Sequence, residues 1–339
     1  MLNYDSFKDY IKANVLNYFP DDFSAESVQI DTVIKNNNTK YDALIIRGED
    51  INICPTIYLN SLYEEYSVGQ ALDMDDVYKR IVDNYTHHMP ADSLSDFAYS
   101  YDNLKDKIIP VLLNKEMNSE YLVDKCCGSY ADLAVVYKAC FDAEDFCLGS
   151  GTCSITITNN LMKQWNISFE QLDSQARDNL LRLNNASCKG IVETIMGYMG
   201  IDEPSVFGFA DDEIDKDVFV ITNGTQMYGC SCILDDAFMD SLKDKLGEKP
   251  FIIPCSVHEL IAINSEHCSA KAMELVDMIK YVNATELKAE DVLSDNLYSY
   301  DFSSHQMHIA NGDLTKEADL SVLNAVEQAP VQPLRRHGR

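Results

Sequence analysis

The chain has 339 residues, of which 46% are hydrophobic, 24% charged and 10% aromatic, and its 27 Lys and Arg against 55 Asp and Glu give a formal net charge of -28. Such a charge repels phosphate backbones and argues against direct nucleic-acid binding. The apolar fraction excludes wholesale disorder, 14 Gly and 9 Pro exclude a collagen-like chain, no apolar run approaches the ~18 residues of a membrane span, and the length predicts two or three domains.

The opening predicts an amphipathic helix. Phe7, Tyr10, Ile11, Asn14, Val15 and Tyr18 follow the 3.6-residue period, and Pro20 stops it. Two runs rich in β-branched and aromatic residues, Val28–Ile34 and Tyr41–Arg47, flank a polar turn, Lys35–Lys40, whose three asparagines tolerate positive φ. A third run, Ile51–Leu59, contains Pro55, which cannot donate to a ladder and marks an edge or broken strand. Met74, Val77, Tyr78, Ile81, Val82 and Tyr85 then recur at helical spacing. Residues 1–88 therefore read as one α-β-β-β-α module, with Val77, Ile81 and Tyr85 packed on its sheet.

Residues 89–102, with Pro90, read as a linker. A middle unit over 104–200 opens with a strand, Ile108–Leu113, despite Pro110. The run Leu133–Phe141 fits helix or strand. Its β-branched content and the turn Asp142–Gly151 before Ser154–Thr158 favour a hairpin. A helix near Leu161–Trp165 follows, and the capping-box spacing of Ser168 and Gln171 starts another, to about Leu183. A C-terminal unit over 201–312 begins with an acidic loop, 202–217. Val218–Thr222 and Gly229–Leu234 read as strands. Asp235 and Asp236 cap a helix that Gly247 ends. Strands Phe251–Pro254 and Val257–Ile263, a helix carrying Ala272, Leu275, Val276, Ile279 and Val282, and a hairpin of Leu297–Asp301 with Gln306–Ala310 complete it. Residues 313–339 read as a short helix and a frayed tail, whose Arg335, Arg336 and Arg339 are solvated. Strands and helices are segregated rather than alternating, so the fold class is α+β, a small N-terminal module followed by mixed hairpin and helix units. The shared Ile-Thr-Asn endings at Asn159 and Asn223 are too short to argue duplication.

The N-terminus lacks the basic and apolar regions of a secretory signal, so a cytoplasmic location is expected. The 11 Cys, odd in number and irregularly spaced, are then expected mostly as free thiols. Cys230, Cys232, Cys255 and His258 match no zinc spacing, and no metal is expected. No glycine-rich phosphate loop or nucleophile elbow occurs, so no cofactor is assigned. His258-Glu259 begins an H-E-x-x-H pattern that fails at Ala262. His87 and His88 end a helix, where a cationic side chain suits the dipole.

Two segments keep functional potential as binding candidates. Ser256, His258 and Glu259 place a hydroxyl, an imidazole and a carboxylate within four residues, after a strand that ends at Pro254. Nucleophilic catalysis needs a geometry that local spacing cannot supply, so no catalytic residue is assigned. Thr56, Tyr58, Asn60 and Tyr63 suit a recognition surface, and equally an ordinary amphipathic edge.

The same segments carry a resemblance. Lys35–Asn38, Pro55–Asn60 and Tyr63–Tyr66 resemble the N-terminal signature of an uncharacterised bacterial family, domain-of-unknown-function family 5688, common in gut Firmicutes. The likeness continues through Asp132–Tyr137, Ile157–Asn159, Trp165–Ser168, Ile221–Asn223, Phe251–Pro254, Ser256–Glu259 and Val292–Asp295 with Tyr298 and Tyr300, covering roughly residues 1–302. The chain departs from the expected pattern at Cys255, where Ser is expected. The resemblance implies a cytoplasmic bacterial protein and supplies no activity or catalytic residues.

The leading expectation is a non-enzymatic module acting through macromolecular contacts, with an unidentified protein partner and neither nucleic acid nor membrane. One alternative is a hydrolase-type or metal-assisted enzyme centred on His258 and Glu259. Another is an acidic nucleic-acid mimic or inhibitor from a mobile element.

Overall fold

The computed structural model describes residues 1–48, 55–68, 72–87, 100–142, 152–200 and 217–312. Helix α1, Tyr4–Asn14, starts where the Asn3 side chain accepts the Ser6 N–H at 2.9 Å, and it buries Phe7 and Ile11. Strands β1, Ala25–Ile34, and β2, Lys40–Gly48, pair antiparallel, and the short β3, Thr56–Tyr58, pairs with β2. Helices α2, Leu59–Ser67, and α3, Met74–His87, follow. Val77, Ile81 and Tyr85 of α3 share one apolar core with Leu44, Ile46 and Ile57 of the strands. The helix α2 was not expected. Leu59, Leu62, Tyr63 and Tyr66 carry its period, which the β-branched run just before it obscured.

The rest of the chain builds two further sheets. After α4, Tyr101–Leu104, come β4, Ile108–Asn114, β5, Cys127–Tyr130, β6, Leu133–Asp142, and β7, Thr152–Thr156. They order as β4-β6-β5, with β7 also on β6. Pro110 is tolerated because β4 lies at the edge, paired only with β6. Helix α5, Asn159–Trp165, is capped by Thr158, and α6, Phe169–Leu183, opens on the expected Ser168–Gln171 capping box. Then follow β8, Ser187–Gly190, α7, Ile191–Met199, β9, Val218–Thr222, α8, Asp236–Ser241, α9, Lys243–Leu246, β10, Phe251–Ile253, β11, Leu260–Ile263, α10, Ala272–Thr285, β12, Tyr298–Asp301, and β13, Gln306–Ile309. The six-stranded sheet orders β13-β12-β10-β11-β9-β8 and every pairing is antiparallel.

Strand periodicity shows why this sheet has two buried faces. Ile252 of β10 faces a core shared with Val111, Val136 and Leu172, while Phe251 and Ile253 face Leu275, Val276 and Ile279 of α10. The chain is thus of the α+β class. No helix among the described residues is long and apolar enough to cross a membrane.

One expected strand is absent. Gly229–Leu234 forms a 3-10 turn, entered through Tyr228 at φ +55°. All six of its residues are buried, so its apolar content marks a plug rather than a pleat. The expectations for residues 51–54, the turn before Ser154, the acidic 202–216 stretch, His88, the linker up to residue 99 and the tail from 313 lie outside the described residues.

The asparagine turn joins the N-terminal sheet to the remainder. Asn37 and Asn38 take φ of 57° and 53°, as asparagine tolerates. The Asn37 Nδ2 donates to the carbonyls of Ala289 at 2.8 Å and Val292 at 2.7 Å, and Asn36 Nδ2 donates to the Glu290 carbonyl at 2.6 Å. Asn38 Oδ1 accepts the N–H groups of Glu120 and Tyr121 at 3.2 and 2.9 Å. The turn is therefore docked between the segment after β4 and the segment after α10.

Candidate functional site

Beside this docked turn lies a cleft of about 420 Å³. One wall is the β6–β7 hairpin. Lys138 and Thr156 are direct cross-strand partners, and Ser154 lies two residues along from Thr156, on the same face. Lys138 Nζ donates to Thr156 Oγ1 at 3.1 Å, and Tyr121 OH is 3.1 Å from the same oxygen. The ammonium also stands 5.2 Å from the centre of the Tyr228 ring. Lys138 is only 9% exposed, yet among the described residues it forms no ion pair with a carboxylate. Burial opposes its charge, while the oxygens of Tyr228 and Tyr121 favour it; the balance holds the ammonium above the usual lysine range.

His258 also lines the cleft. Its Nδ1 accepts the Tyr228 N–H at 3.3 Å, and its Nε2 faces Asp291 Oδ1 at 3.4 Å. Both distances are slightly longer than the usual hydrogen-bond range. The backbone donor at Nδ1 assigns the ring hydrogen to Nε2, from which it is directed at Asp291. The imidazole stacks on Tyr228, with centres 5.9 Å apart and planes at 26°. Its backbone is held as well: its N–H donates to Ser256 Oγ at 3.0 Å and its carbonyl accepts Thr222 Oγ1 at 2.9 Å. Gly229 presses against the same carbonyl, where a Cβ would lie 2.3 Å from it. Only glycine fits there. Glu290, Lys35 and Asn36 complete the rim next to the turn.

The binding candidates from the sequence fall in different places. His258 lines the cleft. Ser256 is buried and occupied by the His258 N–H, and Glu259 accepts the Tyr198 hydroxyl at 3.2 Å instead of lining the cleft. Thr56 and Tyr58 line a separate cavity of about 480 Å³ with Glu65 and Arg80, which are ion-paired. Asn60 Oδ1 accepts the Asp42 N–H at 2.8 Å, and Tyr63 donates to the Leu2 carbonyl at 3.2 Å while its ring packs on Tyr4 and Phe7. Both serve the N-terminal unit itself.

Sequence reasoning missed Lys138, Tyr121, Thr156, Tyr228 and Asp291. Lys138 had a signal, since it is the one charged residue inside the apolar run Leu133–Phe141. The others converge from distant segments and carry no local signal.

The thiols stand apart from this chemistry. The eight cysteines with described side chains are free thiols. Burial pushes Cys230, Cys232 and Cys255 up to about 12, so each is held as the thiol rather than the reactive thiolate. Among the described residues, no three His, Cys, Asp or Glu side chains converge as a metal ion would require.

Comparison with known proteins adds one match. The model of a family of unknown function, DUF5688, matches residues 4–302. No curated protein and no solved structure matches the chain.

Proposed function

We propose that this chain, which belongs to the DUF5688 family, is a non-enzymatic binding protein that captures a small ligand in the cleft between its asparagine turn and its two larger sheets. The observation that carries this reading is the state of the Nδ1 lone pair of His258, which is taken by the Tyr228 N–H. A general base needs a free lone pair within reach of the proton it removes. His258 instead offers its Nε2 hydrogen, and Asp291 already faces that hydrogen. Lys138 is held as an ammonium, so it cannot take a proton from Thr156 or Ser154. The imidazole and the ammonium of the cleft are thus arranged as donors, which is the chemistry of recognition. A volume of about 420 Å³ is within the range of small-molecule sites.

The hydrolase reading centred on His258 and Glu259 is less well supported, because Glu259 turns to Tyr198 on α7. A broad macromolecular surface is less well supported too, because Asn60 and Tyr63 are used inside the N-terminal unit. The free thiols fit a reducing cytoplasm.

Equilibrium dialysis of the full chain against a small-molecule extract of bacterial cells tests the proposal, with Tyr121→Phe, which removes a hydroxyl that lines the cleft, as the comparison. The parent should retain a compound that is recovered chemically unchanged and that the variant retains less well. A compound recovered in altered form, with the alteration lost in His258→Gln, would favour the enzyme.

A further inference from the structure

We infer that the ligand of this cleft carries one oxyanion, a carboxylate or a phosphate, seated on Lys138. The inference rests on the binding reading above and adds the ligand's chemistry to it. Lys138 sits in the middle of β6 between Tyr137 and Ala139, both of which are buried in the core. A strand position of that kind ordinarily takes an apolar residue. An ammonium held there loses hydration, and buried charges are normally paired. Here the described residues offer it Thr156 Oγ1 at 3.1 Å, the hydroxyl and ring of Tyr228 and the nearby Tyr121 oxygen, none of which carries a carboxylate's charge. These are neutral oxygens and a ring face, so what the shell lacks is a negative charge.

The groups around the ammonium are matched to an acceptor-only ligand. Tyr121 and Thr156 share a hydrogen bond at 3.1 Å, which leaves one of the two hydroxyl hydrogens free for a further acceptor. The other two lysines of the cleft already have partners, Lys125 lying over the Tyr121 ring at 5.0 Å. Lys125 pairs with Asp124, and Lys35 stands over the Tyr58 ring at 4.9 Å. The cleft also carries Glu290 and Asp291, which repel a second anionic group. A ligand with one anionic group fits this arrangement and one with several does not.

The test is titration of the full chain with acetate, inorganic phosphate and acetamide, read as the shift of the thermal midpoint with concentration. The parent should respond saturably to acetate or to phosphate, and which of the two acts identifies the anion. Acetamide, the neutral counterpart of acetate, should have no effect. Lys138→Met should weaken the anion response about tenfold or more, as expected for a charge-assisted bond. Thr156→Val, which keeps the lysine, should weaken it less and serves if Lys138→Met does not fold. An equal response in Lys138→Met, an equal response to acetamide, or no saturable response to either anion overturns the inference. A neutral compound retained in the dialysis would overturn the oxyanion alone and leave the binding reading standing. No retained compound would remove both.

Discussion

Asn37 and Asn118 hold each other reciprocally: the Asn37 N–H donates to Asn118 Oδ1 and Asn118 Nδ2 donates back to Asn37 Oδ1, both at 2.8 Å. Asn118 is fully buried and also donates to the Asn114 carbonyl at 2.7 Å. Through Nδ2, Asn37 grips the carbonyls that bracket Asp291, at Ala289 and Val292. The docked turn therefore fixes both the N-terminal sheet and the carboxylate opposite His258.

Breaking this pair should loosen the site as well as the fold. Asn118→Ala leaves the half-buried Asn37 N–H without its partner, a loss of ~1–3 kcal/mol. Asn37→Gly keeps the left-handed backbone and removes only the side chain, so it separates strain from hydrogen bonding. Both variants should unfold at lower denaturant, and amide exchange should rise at residues 289–292. Unchanged exchange there would mean that the turn does not position Asp291.

His258 should contribute to stability as well as to the cleft. Its ring is bonded to Tyr228 and faces Asp291, and its removal leaves the Tyr228 N–H without an acceptor. We expect His258→Ala to cost ~1–3 kcal/mol in denaturant unfolding. Glu259→Ala, which loses one bond to an exposed tyrosine, should cost less than ~0.5 kcal/mol. A His258→Ala protein as stable as the parent or more so would speak for a strained functional histidine, since active-site groups are commonly a net cost to stability.

Gly229→Ala should be among the most damaging single changes. The new methyl would lie 2.3 Å from the His258 carbonyl and 2.4 Å from Thr222 Oγ1, and both belong to packed backbone or to a bonded hydroxyl. Overpacking of that kind costs ~3 kcal/mol. The variant should also lose part of the ligand response, because the displaced carbonyl carries His258 with it. A variant with parental stability and response would show that the 223–229 loop can yield.

The α+β class, the helical periods of α3 and α10, the Ser168–Gln171 cap and the closing hairpin were legible because each is encoded locally. Gly229–Leu234 was misread because a buried 3-10 plug and a buried strand both require an unbroken apolar run. The cleft was legible at one residue, His258, and there only as part of a local cluster that the fold separates. Ser256 and Glu259 adjoin His258 in sequence, yet Ser256 bonds its backbone and Glu259 turns to α7. Lys138, Tyr228 and Asp291 come from three separate segments, and the turn Asn36–Asn38 that brings Asp291 into place reads from sequence only as a polar loop. Tertiary convergence of this kind has no sequence period.

The last prediction concerns pH and a second histidine. His305 lies in the β12–β13 turn, with Nε2 3.0 Å from Asp240 Oδ1 and Nδ1 4.0 Å from Asp236 Oδ2. The hydrogen bond to Asp240 is the largest influence on its pKa, burial opposes it, and Asp236 and Asp301 add attraction, so the imidazolium is favoured above the ordinary value of 6.5. The folded chain then holds this proton more tightly than the unfolded chain does. The resulting stabilisation is fully present below 6.5 and is lost as pH rises through the higher folded value. His305→Gln should therefore lower the thermal midpoint at about pH 5.5 and have little effect at about pH 8.5. Asp240→Asn should show the same pH dependence, and the double variant should add little to either single change, because both remove one interaction. A stability gap that is equal at both pH values would show that His305 acts through packing and not through its charge.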